Sequence, residues 1–260
     1  MPGGLREIDA YFELFNPNGA MGTGIPPVLS RVSAMFGREV VSAQDPALVA
    51  LFRTEPVRAL WMLRDTARAR RRKCISYKIF PGQLSPAALA TVLDRDGVFV
   101  ILLSRTRLDV YISYLKARQT NVWKNAPTAG LACEVEVAAF LDWAEEQDRW
   151  FDSCAELLRR TGRPSAVFDY DADIDVAKHD LLRHLIRVMR RVGTEVTFNP
   201  EADETLFLRQ DARVSPFRKI GNGDAVEAEL RRLGRLDYAL AAPLAAQPPS
   251  RGRIARLFGR

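Results

Sequence analysis

The pattern of hydrophobic and polar positions predicts strands and helices that alternate along the chain. Runs rich in apolar, β-branched and aromatic residues predict strands at 74–80, 97–104 and 165–170. The run 97–104, GVFVILLS, is almost continuously apolar, which is typical of a strand covered on both faces in a parallel sheet. Residues 1–27 are rich in Gly and Pro and predict a loop, with a short ordered patch at 11–15.

Longer stretches with helical periodicity lie between these strands. The predicted helices cover 46–70, 106–120, 134–160 and 175–192, and Pro56 is expected to break the first of them. Because strand and helix alternate, the sequence predicts an α/β fold whose parallel sheet is flanked by helices and joined by right-handed crossovers.

The length and composition of the chain indicate the size of the domain and the sign of its net charge. The chain has 260 residues, 47% of them apolar, which suits one domain over 1–240 followed by a flexible basic tail at 241–260. The net charge of +6 indicates an anionic partner, which can be a phosphate, a sulfate, a nucleic acid or an acidic membrane. The tail is expected either to be solvated or to contact an acidic partner or, peripherally, a membrane surface.

Several classes of protein are not expected. No apolar run reaches the length of a membrane span, and the N-terminus lacks the pattern of a signal peptide. The three cysteines show no CxxC spacing, so neither a disulfide framework nor a zinc site is predicted, and the expected location is cytoplasmic. His179 and His184 are five residues apart, which does not suit a metal pair on one helix face.

Arg105 directly follows the most apolar predicted strand. Ligands of parallel sheets bind beyond the carboxyl ends of the strands, and a guanidinium there suits a phosphate, as does the start of the next helix. Ser113 lies eight residues later, two helical turns along. The alternative is that Arg105 pairs with Asp109 and that Ser113 packs; the residues alone leave both open. Thr106 and Asp109 also have the spacing of a capping box.

The stretch VFVILLSRTRLDVYISYLKARQTNVW resembles a segment of sulfotransferases that use 3'-phosphoadenosine 5'-phosphosulfate (PAPS), and is most similar to bacterial carbohydrate and Nod-factor-type enzymes. That family has an apolar strand, an Arg, and a Ser eight residues later with an aromatic residue often following. Arg105, Ser113 and Tyr114 match this pattern without a gap. The resemblance implies a P-loop-like three-layer fold, PAPS as the sulfuryl donor, and Arg105 and Ser113 as ligands of its 3'-phosphate.

Other segments fall in the order of this family: YFELFNP at 11–17, SYKIFPGQL at 76–84, VFDYDADI at 167–174 and LRQDARVSPFRKIGN at 208–222. The resemblance implies that Glu13 is the catalytic base, with Glu7 as a second choice, and that Arg218 and Lys219 grip the 3'-phosphate. Lys78 lies in an apolar strand, where a lysine is uncommon unless it meets an anion or extends to solvent, so it is expected to contact sulfate or acceptor. The alternatives are a surface glutamate at 13 and a solvated basic turn at 218–219.

One diagnostic part of the family is missing. A first strand followed by an Arg-Ser-Gly-Thr-type loop normally cradles the 5'-phosphosulfate, yet only ten residues precede the segment at 11–17. The first strand and its loop are therefore expected to be absent, either through a truncated start or because this member has lost half of the cofactor site. No GxxxxGK[ST] motif replaces them, which argues against a P-loop kinase.

The resemblance implies transfer of a sulfuryl group from PAPS, without a metal, to a hydroxyl of a carbohydrate or glycolipid acceptor. The alternative is a non-catalytic relative that binds a nucleotide or a partner. Trp123 and Tyr114 are expected either to line the acceptor or adenine pocket or to belong to the core. Nucleic-acid binding rests on charge alone, because no known nucleic-acid-binding motif is present, and it is not expected.

Overall fold

The computed structural model describes residues 5, 7–123, 128, 130–197 and 215–244. Its strands are β1 Ile8–Glu13, β2 Cys74–Lys78, β3 Val100–Ser104 and β4 Ser165–Asp169. Its α-helices are α1 Pro26–Phe36, α2 Pro46–Thr54, α3 Pro56–Ala69, α4 Pro86–Leu93, α5 Arg107–Thr120, α6 Val137–Thr161, α7 Lys178–Arg191, α8 Gly223–Arg232 and α9 Leu236–Leu240. A π-helical turn covers Tyr170–Ile174, and a 3-10 turn covers Pro216–Lys219.

The chain forms two compact units, each built from three separated stretches. The first unit draws on 1–100, 157–166 and 177–206, and the second on 101–156, 167–176 and 207–260. The boundary passes through β3 and β4, so the two units are not successive domains. The single domain over 1–240 stays a prediction, and most of the predicted tail, from residue 245 onward, lies outside the described residues.

In the first unit, β1 and β2 pair in parallel, with Ile8 opposite Cys74 and Glu13 opposite Lys78. The prediction of a loop at 1–27 was therefore wrong over residues 8–10, whereas the ordered patch predicted at 11–15 overlaps the end of β1. Asp9 interrupts the apolar pattern, and its buried carboxylate accepts a hydrogen bond from Arg70 at 2.9 Å and forms an ion pair with Arg72 at 3.3 Å. These arginines lie some sixty residues away along the chain, so no local pattern indicates that a buried aspartate is tolerated there.

The core of the first unit forms between this sheet and the helices α1 to α3. Phe15 lies at its centre, with its ring edge-on to Phe52 at 6.1 Å and to Tyr77 at 5.8 Å. The break predicted at Pro56 is confirmed, because α2 ends at Thr54 and α3 begins at Pro56. Helix α1 was missed, since its Pro-rich start suggested a loop although proline is well tolerated in the first turn of a helix.

In the second unit, β3 pairs with β4, and α5 and α6 pack with α8 and α9 around a core that includes Leu108, Ile112, Phe140 and Leu230. The α/β class is confirmed, but among the described residues the strands form two separate two-stranded sheets. The prediction that β3 is covered on both faces was wrong. Leu102 and Ser104 are buried, whereas Ile101 and Leu103 on the other face are 37% and 45% exposed.

Two structural findings bear on the ends and surfaces of the fold. The backbone carbonyl of Ala241 accepts hydrogen bonds from the backbone N–H and the side chain of Arg107, so the described part of the second unit continues past residue 240. Among the described residues, no helix combines the length and the apolar character needed to cross a membrane.

Candidate functional site

Arg105 lies where β3 ends, as the sequence predicted. Its Nη2 is 3.9 Å from Oδ2 of Asp109, and its guanidinium carbon lies 4.5 Å from the centre of the Tyr170 ring. The ion pair that was the alternative for this residue is therefore present. Its Nε, however, is buried and donates to no described residue, so this guanidinium retains an unused donor. A buried unused donor is costly to leave unpaired, which favours a ligand atom at this position.

Asp109 also pairs with Lys219. The Nζ of Lys219 lies 2.6 Å from Oδ1 of Asp109, and both side chains are buried. One carboxylate thus serves two cations, and we name Arg105, Asp109 and Lys219 the cationic cluster. The predicted capping box does not form, since the side chain of Thr106 makes no cap hydrogen bond. Asp109 is engaged with the cations instead.

Ser113 and Arg218 lie close in sequence to this cluster and are exposed. Ser113 follows Asp109 by one helical turn, and its hydroxyl has no partner among the described residues. The alternative that Ser113 packs in the core was therefore wrong. Arg218 precedes Lys219 in the 3-10 turn and, although exposed, is engaged in an interaction of its own. The structure thus brings Arg105 and Lys219 together through Asp109 and leaves Ser113 accessible.

Local hydrogen bonds fix the turn that carries Lys219. The N–H of Gly221 donates to the carbonyl of Cys133 at 2.8 Å. The Asn222 amide donates to the carbonyl of Val135 at 2.9 Å and accepts from its N–H at 3.1 Å. Gly223 then starts α8 where a Cβ would overlap the carbonyl group of Phe217. Close backbone approach, rather than a positive φ, requires glycine here.

We expect Gly223→Ala to lower the free energy of unfolding by about 1–3 kcal/mol, because the added methyl group meets backbone that cannot move without displacing the turn. Chemical denaturation measures this loss. Gly130→Ala is the matched control, since its Cβ would meet no atom within 4 Å, and a change as small as that of Gly130→Ala at position 223 would contradict the close approach.

Arg107 anchors the start of α5 beside Arg105. Its Nε donates to Oδ1 of Asp148 at 2.9 Å, and its guanidinium carbon lies 4.4 Å from the centre of the Tyr238 ring. The Tyr238 hydroxyl donates to the other oxygen of Asp148 at 2.8 Å. Burial, together with this hydrogen bond, raises the pKa of Tyr238 to about 12. Arg107 is therefore fully engaged within the protein, in contrast to Arg105.

Glu13 and Lys78 are opposite each other at the carboxyl ends of β1 and β2 in the first unit. Oε2 of Glu13 accepts hydrogen bonds from the amide groups of Asn16 at 2.9 Å and Gln83 at 3.0 Å. Oε1 has no partner among the described residues, and neither has the exposed ammonium of Lys78. The strand register thus places the two predicted catalytic residues opposite each other. The Glu13 carboxylate is half-buried and oriented by hydrogen bonds, whereas the Lys78 ammonium is exposed and has no partner among the described residues.

Asn16 and Gln83 were not found from the sequence. Asn16 belongs to the turn after β1, whose segment NPNG indicates only a turn. Gln83 is buried in the turn PGQL after β2, and its own Oε1 accepts the N–H of Phe80 at 3.0 Å. A buried amide of this kind needs partners for both its oxygen and its nitrogen, and Glu13 supplies the second.

Both carboxylate oxygens of Glu7, the second choice for the catalytic base, already accept hydrogen bonds. Its two carboxylate oxygens accept hydrogen bonds from the N–H of Thr197 at 2.8 Å and from the Thr197 hydroxyl at 2.7 Å. Burial raises the pKa of Glu7, but the hydrogen bonds from Thr197 together lower it by more, so its pKa lies below the ordinary value. A carboxylate with both oxygens engaged and a lowered pKa is a poor proton acceptor.

Aromatic side chains of the second unit form a stack that reaches the surface. The Tyr114 ring stacks on Trp143 at 6.2 Å and lies 6.3 Å from Trp123, which is 60% exposed. The guanidinium carbon of Arg118 lies 5.6 Å from the centre of the Tyr114 ring. Tyr114 therefore belongs to the edge of the core, whereas Trp123 offers a free ring face to a ligand.

The candidate residues divide between the two units, with Glu13 and Lys78 in the first and the cationic cluster in the second. No group of three or more His, Cys, Asp or Glu side chains with the geometry of a metal site occurs in the described part of the chain. A comparison with protein-family models, curated proteins and solved structures found no match to this chain.

Proposed function

We propose that this chain is a PAPS-dependent sulfotransferase of the cytoplasm that acts on a hydroxyl of a carbohydrate or glycolipid, with a P-loop-like arrangement of its sheet. The observation that carries this proposal is the cationic cluster after β3, in which Arg105 keeps a buried, unused Nε. Three free cysteine thiols support a reducing compartment.

The 3'-phosphate of the donor would be held by the second unit. Two cations share the single carboxylate of Asp109, so the cluster has one positive charge in excess. A phosphate dianion can accept hydrogen bonds from the Nε of Arg105 and from the exposed hydroxyl of Ser113. Arg218, exposed beside Lys219, adds positive charge at the same turn.

Glu13 would act as the base. PAPS supplies an activated sulfuryl group, and transfer forms a bond from the acceptor oxygen to sulfur while the bond from sulfur to the bridging phosphate oxygen breaks. Glu13 accepts the hydroxyl proton on Oε1, while Asn16 and Gln83 hold Oε2 in place. The ammonium of Lys78, opposite Glu13 in the register, offsets negative charge on the transferring group.

The acceptor would stack on the exposed ring of Trp123. Its neighbour Tyr114 is held by Trp143, so the exposed ring is supported by a packed aromatic layer. A flat apolar face of this kind suits a sugar ring, whose C–H groups form an apolar surface.

We expect adenosine 3',5'-bisphosphate, the product that retains the 3'-phosphate, to bind the full chain, and Arg105→Ala to weaken this binding tenfold or more, on the order of one charge-assisted contact. Titration calorimetry measures both affinities. Arg149→Ala, which removes an exposed arginine of α6 in the same unit, is expected to bind as the unsubstituted chain does.

Equal affinities of the Arg105 and Arg149 variants, or no binding by the folded chain, would refute the phosphate site. The alternative is a non-catalytic relative that binds a nucleotide or a partner. Binding of the bisphosphate that is lost in Arg105→Ala, without transfer from PAPS to any carbohydrate offered, would select this alternative.

A further inference from the structure

Helix α7 presents a row of arginines to solvent. Four exposed arginines and one half-buried isoleucine line an open groove of about 520 Å³ on the first unit: Arg183, Ile186, Arg187, Arg190 and Arg191. Their spacing places them on one face of the helix. The buried residues Leu181 and Val188 lie on the opposite face, and the buried Leu182 lies on the flank beside Ile186. The arginine face is thus held rigidly at the surface.

These arginines have no acidic partner among the described residues, as is also true of the exposed Arg31 and Arg53. Arg187, Arg190 and Arg191 make no ion pair or hydrogen bond within the described structure. Arg183 donates from Nε to His179 at 2.9 Å, which leaves its charge uncompensated. Some exposed arginines on other helices do pair with glutamates, as in Arg58–Glu55, Arg231–Glu227 and Arg232–Glu229, but those helices carry no comparable row of arginines on one face.

Such a row weakens the helix unless an anion meets it. Arg183 and Arg187, and likewise Arg187 and Arg191, are like charges four residues apart, an arrangement that destabilises a helix. The helix dipole favours Arg190 and Arg191 because they lie in the last turn. It does not account for Arg183 and Arg187, which lie further from that end.

We propose that this groove binds an acidic peptide segment of a partner protein. The planar guanidinium group donates two parallel hydrogen bonds to a carboxylate, and clusters of arginine are a recurrent means of recognising acidic motifs. From Arg183 to Arg191 the helix rises about 12 Å, enough to follow three or four residues of an extended peptide. Ile186, half-buried among the arginines, offers an apolar contact to one side chain of that peptide.

The same lining disfavours other anionic partners. No aromatic side chain is among the described residues that line the groove, whereas proteins bind single-stranded nucleic acids by stacking bases on aromatic rings. A membrane-binding helix inserts its apolar face into the lipid, but here the apolar face packs inside the unit. The groove contains none of the candidate catalytic or phosphate-binding residues, so this proposal does not rest on the proposed function.

A labelled peptide of alternating Glu and Leu tests the proposal by fluorescence anisotropy against the full chain. We expect saturable binding that weakens as salt is raised, and no binding of the same peptide with Gln in place of Glu. Arg187→Gln with Arg190→Gln is expected to weaken binding about tenfold or more, since two charge-assisted contacts are lost. Arg31→Gln with Arg53→Gln removes the same charge from exposed positions of α1 and α2 and is expected to leave the affinity unchanged.

A second pair of substitutions distinguishes a loss of binding from a folding defect. Arg187→Lys with Arg190→Lys keeps the charge of the helix and is expected to weaken binding several-fold, because an ammonium cannot form the two parallel bonds. Equal losses in the α7 and control pairs, or no binding of the acidic peptide at low salt, would overturn the proposal. It would also be overturned if dextran sulfate, single-stranded DNA or phosphatidylserine vesicles bound this groove more tightly than the peptide.

Discussion

Replacing Glu13 by Gln is expected to lower the rate of sulfuryl transfer about 100- to 10,000-fold, the usual contribution of a positioned general base. The change keeps the size of the side chain but removes the negative charge that accepts the hydroxyl proton. Asn16 and Gln83 donate to Oε2, and a glutamine oxygen can still accept these two hydrogen bonds. The orientation of the side chain is thereby preserved, so the loss reports on proton transfer.

Release of adenosine 3',5'-bisphosphate from PAPS, followed with a panel of carbohydrate acceptors, measures this rate whichever acceptor the enzyme uses. Affinity for the bisphosphate is expected to stay unchanged in Glu13→Gln, because the phosphate contacts belong to the cationic cluster. Glu7→Gln is the matched comparison, since both oxygens of that carboxylate are engaged by Thr197. If Glu7→Gln lost transfer and Glu13→Gln kept it, the assignment of the base would be reversed.

The site after β3 could be predicted in part because its first members are neighbours in the sequence. Arg105 immediately precedes the N-cap of α5 and Asp109 lies in its first turn, so both the phosphate-binding and the ion-pair interpretations follow from spacing. Lys219 meets the same carboxylate from 110 residues away. The sequence suggested Lys219 as a phosphate ligand through resemblance, but no local pattern indicates that Asp109 joins it to Arg105.

The pairing of Glu13 with Lys78 shows the same limit in the first unit. Each residue was predicted separately, but their juxtaposition depends on β1, most of whose surroundings were predicted as loop because residues 1–27 are rich in Gly and Pro. Gln83 reaches Glu13 across seventy positions of the chain. Hydrogen bonds between distant turns are set by the tertiary fold, so sequence periodicity does not encode them.

The strands show which features of the fold the hydrophobic pattern of the sequence does predict. Each strand predicted from an apolar run is present, and the predicted helices that become α5, α6 and α7 agree with the structure to within a few residues. The continuous apolar run over β3 nevertheless gave the wrong environment, because Ile101 and Leu103 are exposed in a two-stranded sheet. An apolar sequence shows that a face can be buried, but the number of neighbouring strands decides whether it is.

Asp109→Asn is expected to lower the free energy of unfolding by about 3–5 kcal/mol, the loss typical of a buried ion pair from which one partner is removed. Lys219 is only 4% exposed, and its ammonium lies 2.6 Å from Asp109. Without that carboxylate its charge stays buried with no counter-ion. The charge of Arg105 costs less free energy to leave unpaired, because its side chain is 21% exposed and can be hydrated. Chemical denaturation measures the change, with Asp142→Asn on an exposed turn of α6 as the control.

The double variant Asp109→Leu with Lys219→Met separates the cost of an unpaired charge from the stabilisation that the pair provides. It removes both charges and fills the space with apolar groups, so it is expected to recover most of the stability lost in Asp109→Asn. It is also expected to bind adenosine 3',5'-bisphosphate more weakly, because Lys219 is lost from the phosphate site. Full recovery of stability with unchanged affinity would mean that Lys219 has a structural role only, and that the phosphate site consists of Arg105 and Ser113.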